Sequence, residues 1–193
     1  MYKILVILFC IFSFSEANKT DANKITISQI LEDDVDANQP DGIKYEYYPK
    51  GTIKSEVKIR NHQRDGSEVT YYENGRIKSQ ATYYGNKLSG IKKVYYPDGA
   101  LMMDIPYEKG FMNGMKKIYF AGVGVKAESY YRNDELHGLS KEYYSNGNLH
   151  TKTTYQNNKK HGIEEVYEND GTLISSHNYK FGELYIEGEK TTI

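Results

Sequence analysis

The chain has 193 residues, with 25 Lys and Arg against 26 Asp and Glu, a formal net charge of −1 and a mean hydropathy of −0.73. Both signs are interspersed, so no basic patch of the kind that nucleic acid or an anionic membrane selects is in view. Tyr occurs 20 times, Gly 17 times and Trp not at all, so tyrosine has to supply much of the buried area, its ring packing on half-buried sheet while its hydroxyl stays wet.

The N-terminus reads as a signal peptide over residues 1–17: Lys3 gives the positive start, Ile4 to Phe14 the apolar run, and Ser15-Glu16-Ala17 a small-x-small cleavage site, so the mature chain begins near Asn18. That run is far shorter than the roughly 20 residues a bilayer-spanning helix needs, which favours cleavage and no membrane insertion afterwards. Cys10 is the single cysteine and departs with the leader; Phe9 before it is too large for a lipidation site. The mature protein is therefore expected to lack disulfides and reactive thiols.

Residues 18–40 form a spacer in which Ile25, Ile27, Ile30 and Leu31 suit a capping strand and Glu32 to Asp36 an acidic connector. Asp34, Asp36 and Asn38 imitate the opening of a calcium loop, but Gln39 and Tyr45 stand where its glycine and bidentate Glu belong.

From residue 41 the sequence repeats. Gly42, Gly66, Gly90, Gly114, Gly138 and Gly162 are 24 residues apart, and five residues after each comes Tyr47, Tyr71, Tyr95, Tyr119, Tyr143 or Tyr167. The next position holds Tyr48, Tyr72, Tyr96, Phe120, Tyr144 and finally Glu168, and a further row runs Ile59, Tyr83, Tyr107, Tyr131, Tyr155, Tyr179. Two strand-length runs lie in each unit, and Asn74-Gly75, Asp98-Gly99, Asn146-Gly147 and Asp170-Gly171 between them read as two-residue hairpin turns with positive φ at both positions. In the fourth unit Gly122-Val123-Gly124 replaces that turn and reads as a bulge. Leu149, Thr151, Thr153 and Tyr155 alternate with His150, Lys152 and Thr154, which predicts one tyrosine- and aliphatic-lined face and one charged face. The fold expected is all-β: an elongated single antiparallel sheet of about twelve strands, built from six tandem hairpins over 41–184 with a cap or tail at 185–193.

The pattern His137-Gly138, Tyr143-Tyr144-Ser145-Asn146-Gly147-Asn148-Leu149 and Tyr155-Gln156-Asn157-Asn158-Lys159, echoed over residues 41–184, resembles the MORN-repeat variant family. It is similar to bacterial proteins described as antitoxin components of toxin–antitoxin pairs. The resemblance implies a hairpin-repeat sheet and no fixed catalytic residues. An antitoxin of that kind acts in the cytoplasm, whereas the leader points to export.

His137 and His161 share a register two strands apart, roughly 9.5 Å at the spacing of adjacent strands, too far for both to reach one Zn²⁺. With no nucleophile elbow, carboxylate pair or Cys–His arrangement, neither an enzyme nor a cofactor is expected. The tyrosine row Tyr47, Tyr71, Tyr95, Tyr119, Tyr143 and Tyr167 is the candidate binding face, since aromatic rows both hold a sheet together and anchor partners. The function expected is a non-enzymatic, exported module, periplasmic, cell-surface or secreted, that binds another protein or serves as a scaffold. The alternatives are an immunity-type inhibitor of a toxin and an envelope component that binds polysaccharide.

Overall fold

The computed structural model describes residues 41–186. The expected signal peptide, the expected spacer to residue 40 and the part of the expected tail beyond residue 186 lie outside the described residues. Within them the chain forms one open antiparallel sheet in meander order. The hairpins follow in sequence: β1 (Gly42–Tyr47) with β2 (Ile53–Arg60), β3 (Gln63–Tyr71) with β4 (Ile77–Tyr84), and β6 (Gly90–Tyr95) with β7 (Leu101–Glu108), after the short β5 (Lys87–Leu88). They continue with β9 (Gly114–Phe120) and β10 (Val123–Arg132), after the short β8 (Phe111–Met112), then β11 (Glu135–Tyr143) with β12 (Leu149–Gln156) and β13 (Lys159–Tyr167) with β14 (Leu173–Lys180), ending on β15 (Glu183–Leu184).

Fifteen strands stand where about twelve were expected, for two reasons. Ser89 and Asn113 interrupt what would be single strands, and β15 adds a short return after the sixth hairpin.

The turns differ from the sequence reading in an instructive way. The Asn-Gly and Asp-Gly dipeptides do not take positive φ at both positions; only the glycine does, as at Gly75 (80°), Gly99 (96°), Gly147 (90°) and Gly171 (90°). In each, the glycine N–H donates three residues back, as from Gly75 to the Tyr72 carbonyl at 2.9 Å, and Tyr72 N–H donates to the Arg76 carbonyl at 2.8 Å. This is a three-residue loop, a type I turn closed by a left-handed glycine. The asparagine or aspartate serves it differently: Asn74 Oδ1 accepts from Arg76 N–H at 3.0 Å, and Asp98 Oδ1 from Ala100 N–H at 2.9 Å. The two-residue turns with both φ positive are the links between units, at Asn61-His62, Gly85-Asn86, Lys109-Gly110, Asn133-Asp134, Asn157-Asn158 and Phe181-Gly182. Asparagine and aspartate tolerate that region almost as glycine does.

The repeat glycines have a separate task. Pairing passes from Val57↔Glu68 to Ile59↔Arg64, so Lys58 faces Asp65, Gly66 and Ser67 together. Gly66 sits in the bulge at φ 124°, and a Cβ there would lie 2.7 Å from Lys58 Cδ and 3.1 Å from Lys58 Cβ. A second bulge lies at the far end of each hairpin. Pairing moves from Glu142↔Thr151 to Tyr143↔Leu149, leaving His150 as the extra residue. The strict alternation read across residues 149–155 therefore breaks at His150, whose ring stacks on Tyr144 at 4.6 Å. In the fourth unit the register slips twice, once past Gly124 and once past Lys126.

The described residues make a single layer of sheet, which by itself cannot hide a conventional core. Ala81, Tyr83, Ser79 and Thr153 are the buried residues among those described, and no large side chain is fully enclosed. Many strand side chains are half-buried, the situation for which tyrosine, threonine and β-branched residues are suited.

The two glycine classes make a test. Gly75 has open space around its missing Cβ, whereas Gly66 does not, so Gly75→Ala is expected to cost only left-handed backbone strain, on the order of 1–2 kcal/mol. Gly66→Ala adds a clash with the Lys58 stem and should cost about 2–3 kcal/mol, measured by urea denaturation. Equal costs would remove the packing role given to the repeat glycine.

Candidate functional site

The predicted tyrosine row is real as a row, but its hydroxyls are occupied. Tyr71 donates to Glu56 at 2.8 Å, Tyr95 to Gln80 at 2.8 Å, Tyr119 to Asp104 at 3.2 Å and Tyr143 to Glu128 at 3.2 Å, each reaching 15 residues back into the preceding hairpin. At Tyr167 the equivalent position is Lys152, and the phenol turns instead to Glu165 at 3.0 Å. For Tyr47 that position, residue 32, falls outside the described residues. The rings from Tyr71 onward are half-buried and Tyr47 is exposed. Burial, followed by the carboxylate each one touches, pushes the phenols of Tyr71, Tyr119 and Tyr143 above their usual value.

Two more rows share this face. Beside the tyrosines runs a ladder of cross-strand ion pairs: Lys93–Asp104 at 2.9 Å, Lys117–Glu128 at 3.2 Å and Lys152–Glu165 at 2.9 Å. Beyond the ladder, one residue after each repeat glycine, lies a line of aliphatic side chains: Ile43, Ile91, Met115, Leu139 and Ile163, interrupted by Ser67 in the second unit. Ile43, Ile91 and Ile163 are more than half exposed at 57%, 56% and 53%, and Tyr130, paired with Met115, extends the line. The sequence reading missed this ridge, although the 24-residue period carries its signal as plainly as that of the tyrosines. It lay hidden because the face was assigned by alternation around His150, where the bulge sits. Tyrosines and aliphatics do lie on one face, but the ion pairs lie on it too, so the expected separation of a charged face from it does not hold.

The residue after each row tyrosine turns to the other side and ties the units together. Tyr48 donates to the carbonyl of Tyr71 at 2.7 Å, Tyr72 to that of Tyr95 at 2.7 Å, Tyr96 to that of Tyr119 at 2.9 Å and Tyr144 to that of Tyr167 at 2.9 Å. Phe120 has no hydroxyl, so the seam between the fourth and fifth units lacks this bond. On the same side Arg64 donates to Glu68 and to Tyr83, both at 3.3 Å, with its guanidinium 4.9 Å above the Tyr83 ring. Arg64 and Glu68 edge a cleft of about 510 Å³ that also touches Tyr48, Val57, Ile59 and Lys92.

His161 stacks on Phe181 at 4.7 Å, and His137 Nδ1 lies 3.3 Å from Arg132. No group of three His, Cys, Asp or Glu that could hold a metal occurs among the described residues, and no helix among them is long and apolar enough to cross a membrane.

Residues 40–61, 64–83, 88–109, 136–157 and 160–181 match the MORN repeat variant family. The chain belongs to that family. The five matched stretches are the first, second, third, fifth and sixth hairpins, and the hairpin left out is the one carrying Phe120 and the replaced turn. Its repeats are commonly motifs that bind proteins or membranes, and the repeat sheet is a fold typical of non-catalytic binding proteins. No curated protein matches the chain.

Tyr95 is held on both sides, donating to Gln80 while its carbonyl accepts from Tyr72, whereas Tyr47 is 39% exposed at the first hairpin. Tyr95→Ala is expected to cost about 2–3 kcal/mol and Tyr47→Ala clearly less, read from denaturant midpoints. Alkali makes a second test. A phenol whose folded pKa is raised favours the fold while protonated, so the contribution of Tyr71, Tyr119 and Tyr143 is complete below their unfolded pKa and vanishes as pH rises through the folded one. Stability should hold below the ordinary phenol range and fall as the pH rises through and above it, with phenolate absorbance lagging that of free tyrosine.

Proposed function

We propose that this chain is an exported, non-enzymatic module that engages another protein through the sheet face bearing Tyr71, Tyr95, Tyr119, Tyr143 and Tyr167. The observation that carries the reading is the exposed ridge of Ile43, Ile91, Met115 and Ile163 running beside that row. Aliphatic side chains left in water along a line, next to aromatic rings whose positions are fixed by hydrogen bonds, make a surface that loses little conformational entropy on binding. The ion-pair ladder between the two rows adds polar contacts to the middle of that surface. Export rests on the Lys3, apolar and Ser15-Glu16-Ala17 pattern, and places the module in the periplasm, at the cell surface or outside.

One experiment tests both parts. Tagged full-length chain is expressed in its own host, recovered from the envelope and medium, sequenced from its N-terminus and analysed for what it retains after crosslinking. The mature chain should begin near Asn18 and carry a defined protein, and Ile91→Asp with Ile163→Asp should weaken that association at least tenfold, about 1.4 kcal/mol. Recovery from the cytoplasm with Met1 intact, together with a toxin-like partner, would transfer the role to that of an inhibitor. Retention on cell-wall glycan, insensitive to the two substitutions, would make it a carbohydrate-binding structural protein.

A further inference from the structure

The two ends of the sheet fit each other. At the last hairpin β15 pairs Glu183 with Lys180 and Leu184 with Tyr179, as β5 pairs Lys87 with Tyr84 and Leu88 with Tyr83. Tyr185 N–H then donates to the Asn178 carbonyl at 2.7 Å, as Ser89 N–H does to Thr82 at 2.9 Å. After Ser89 comes Gly90, at φ 78°, and the chain runs on as β6 along β4. After Tyr185 comes Ile186.

A β-branched residue does not enter the positive-φ region that all the repeat glycines from Gly66 to Gly162 occupy, so the residue that opens the next strand in the earlier units has no counterpart at this position. Among the described residues the outer edge of β14 from Leu173 to His177 consequently has no strand beside it, with Leu173, Ile174 and Leu184 exposed around it. The strand that the register calls for begins at a repeat glycine, and the chain has one such strand whose outer edge is likewise unpaired among the described residues: β1, which starts at Gly42.

We propose that β1 of a second copy adds to β14, continuing the sheet head to tail. β4 and β6 are the template, with Ser79 opposite Val94 and Gln80 opposite Lys93. Ser175 and Ser176 hold the positions of Ser79 and Gln80, and Glu46 and Tyr45 those of Val94 and Lys93. Ser175 therefore meets Glu46 and Ser176 meets Tyr45, with no like charges opposed. The addition also covers Ile43 and Tyr45, exposed at the first strand as Leu173 and Ile174 are at the last. Because the two surfaces differ, the contact is heterologous, so copies add head to tail rather than pairing off as a two-fold dimer. Bare edges of this sort are templates for strand addition.

The test uses full-length chain carrying Cys10→Ser, into which Tyr45→Cys and Ser176→Cys are placed separately. Both positions are exposed, so neither change should prevent folding, which circular dichroism checks. Under mild oxidation a mixture of the two proteins should give several-fold more disulfide-linked dimer than either alone, and the Cys10→Ser chain should sediment faster as its concentration rises. Cross-linking of each variant with itself as strongly as in the mixture would overturn the proposal, since it would signify an isologous or random contact. So would a chain that stays monomeric with no cross-link in the mixture, as when residues preceding Gly42 or another protein's strand occupies the edge. Assembly without the mixed cross-link would overturn it as well, because a different surface would then make the contact.

Discussion

A phenol that reaches from one hairpin to the main chain of the next holds this sheet together. In a two-layer protein a strand is secured by what packs over it; the described residues form a single layer, in which each unit is fastened sideways. The Tyr48, Tyr72, Tyr96 and Tyr144 hydroxyls do this on one side. On the other, Tyr71, Tyr95, Tyr119 and Tyr143 hold acceptors in the hairpin before them. Along one margin the turns fasten to each other too: Asn86 Oδ1 accepts from Arg64 N–H at 2.8 Å, Asp134 Oδ1 from Met112 N–H at 2.6 Å, and Asn158 Oδ1 from Leu136 N–H at 2.8 Å. The high tyrosine content follows from this arrangement, since few other side chains can be half core and half hydrogen-bond donor.

The repeat period, the hairpin topology and the single sheet were legible in the sequence because they depend only on spacing and on where glycine recurs. Turn chemistry was less so. Asn74-Gly75 carries the strongest two-residue hairpin signal, yet the loop spends the asparagine on an acceptor for Arg76 N–H and the glycine on the left-handed closing residue. Asn157-Asn158, with no glycine, adopts the tighter turn because its second side chain has a backbone donor waiting in the neighbouring unit. Local composition does not distinguish these cases; the partner 22 residues away does.

The candidate site was legible by half. The tyrosine row was found from its period, but its role as an internal tie depends on residues 15 positions earlier, a separation that matters only once the hairpins lie side by side. The aliphatic ridge has the same period and went unread, because one extra residue at His150 shifts the alternation by which faces are assigned. Bulges thus hide from pattern reading the side chains they re-aim.

Phe120 gives the array an uneven spine. In a one-dimensional stack, cooperativity is set by the coupling between adjacent units; the first, second, third and fifth hairpins each offer the next a tyrosine hydroxyl, while the fourth offers its successor a ring without one, behind a turn that slips register twice. That junction rests on strand pairing and on the Ser129–Ser140 hydroxyl bond at 2.7 Å, without the tyrosine bond that the other seams carry. The coupling that spreads order along the stack therefore differs in kind from one seam to the next.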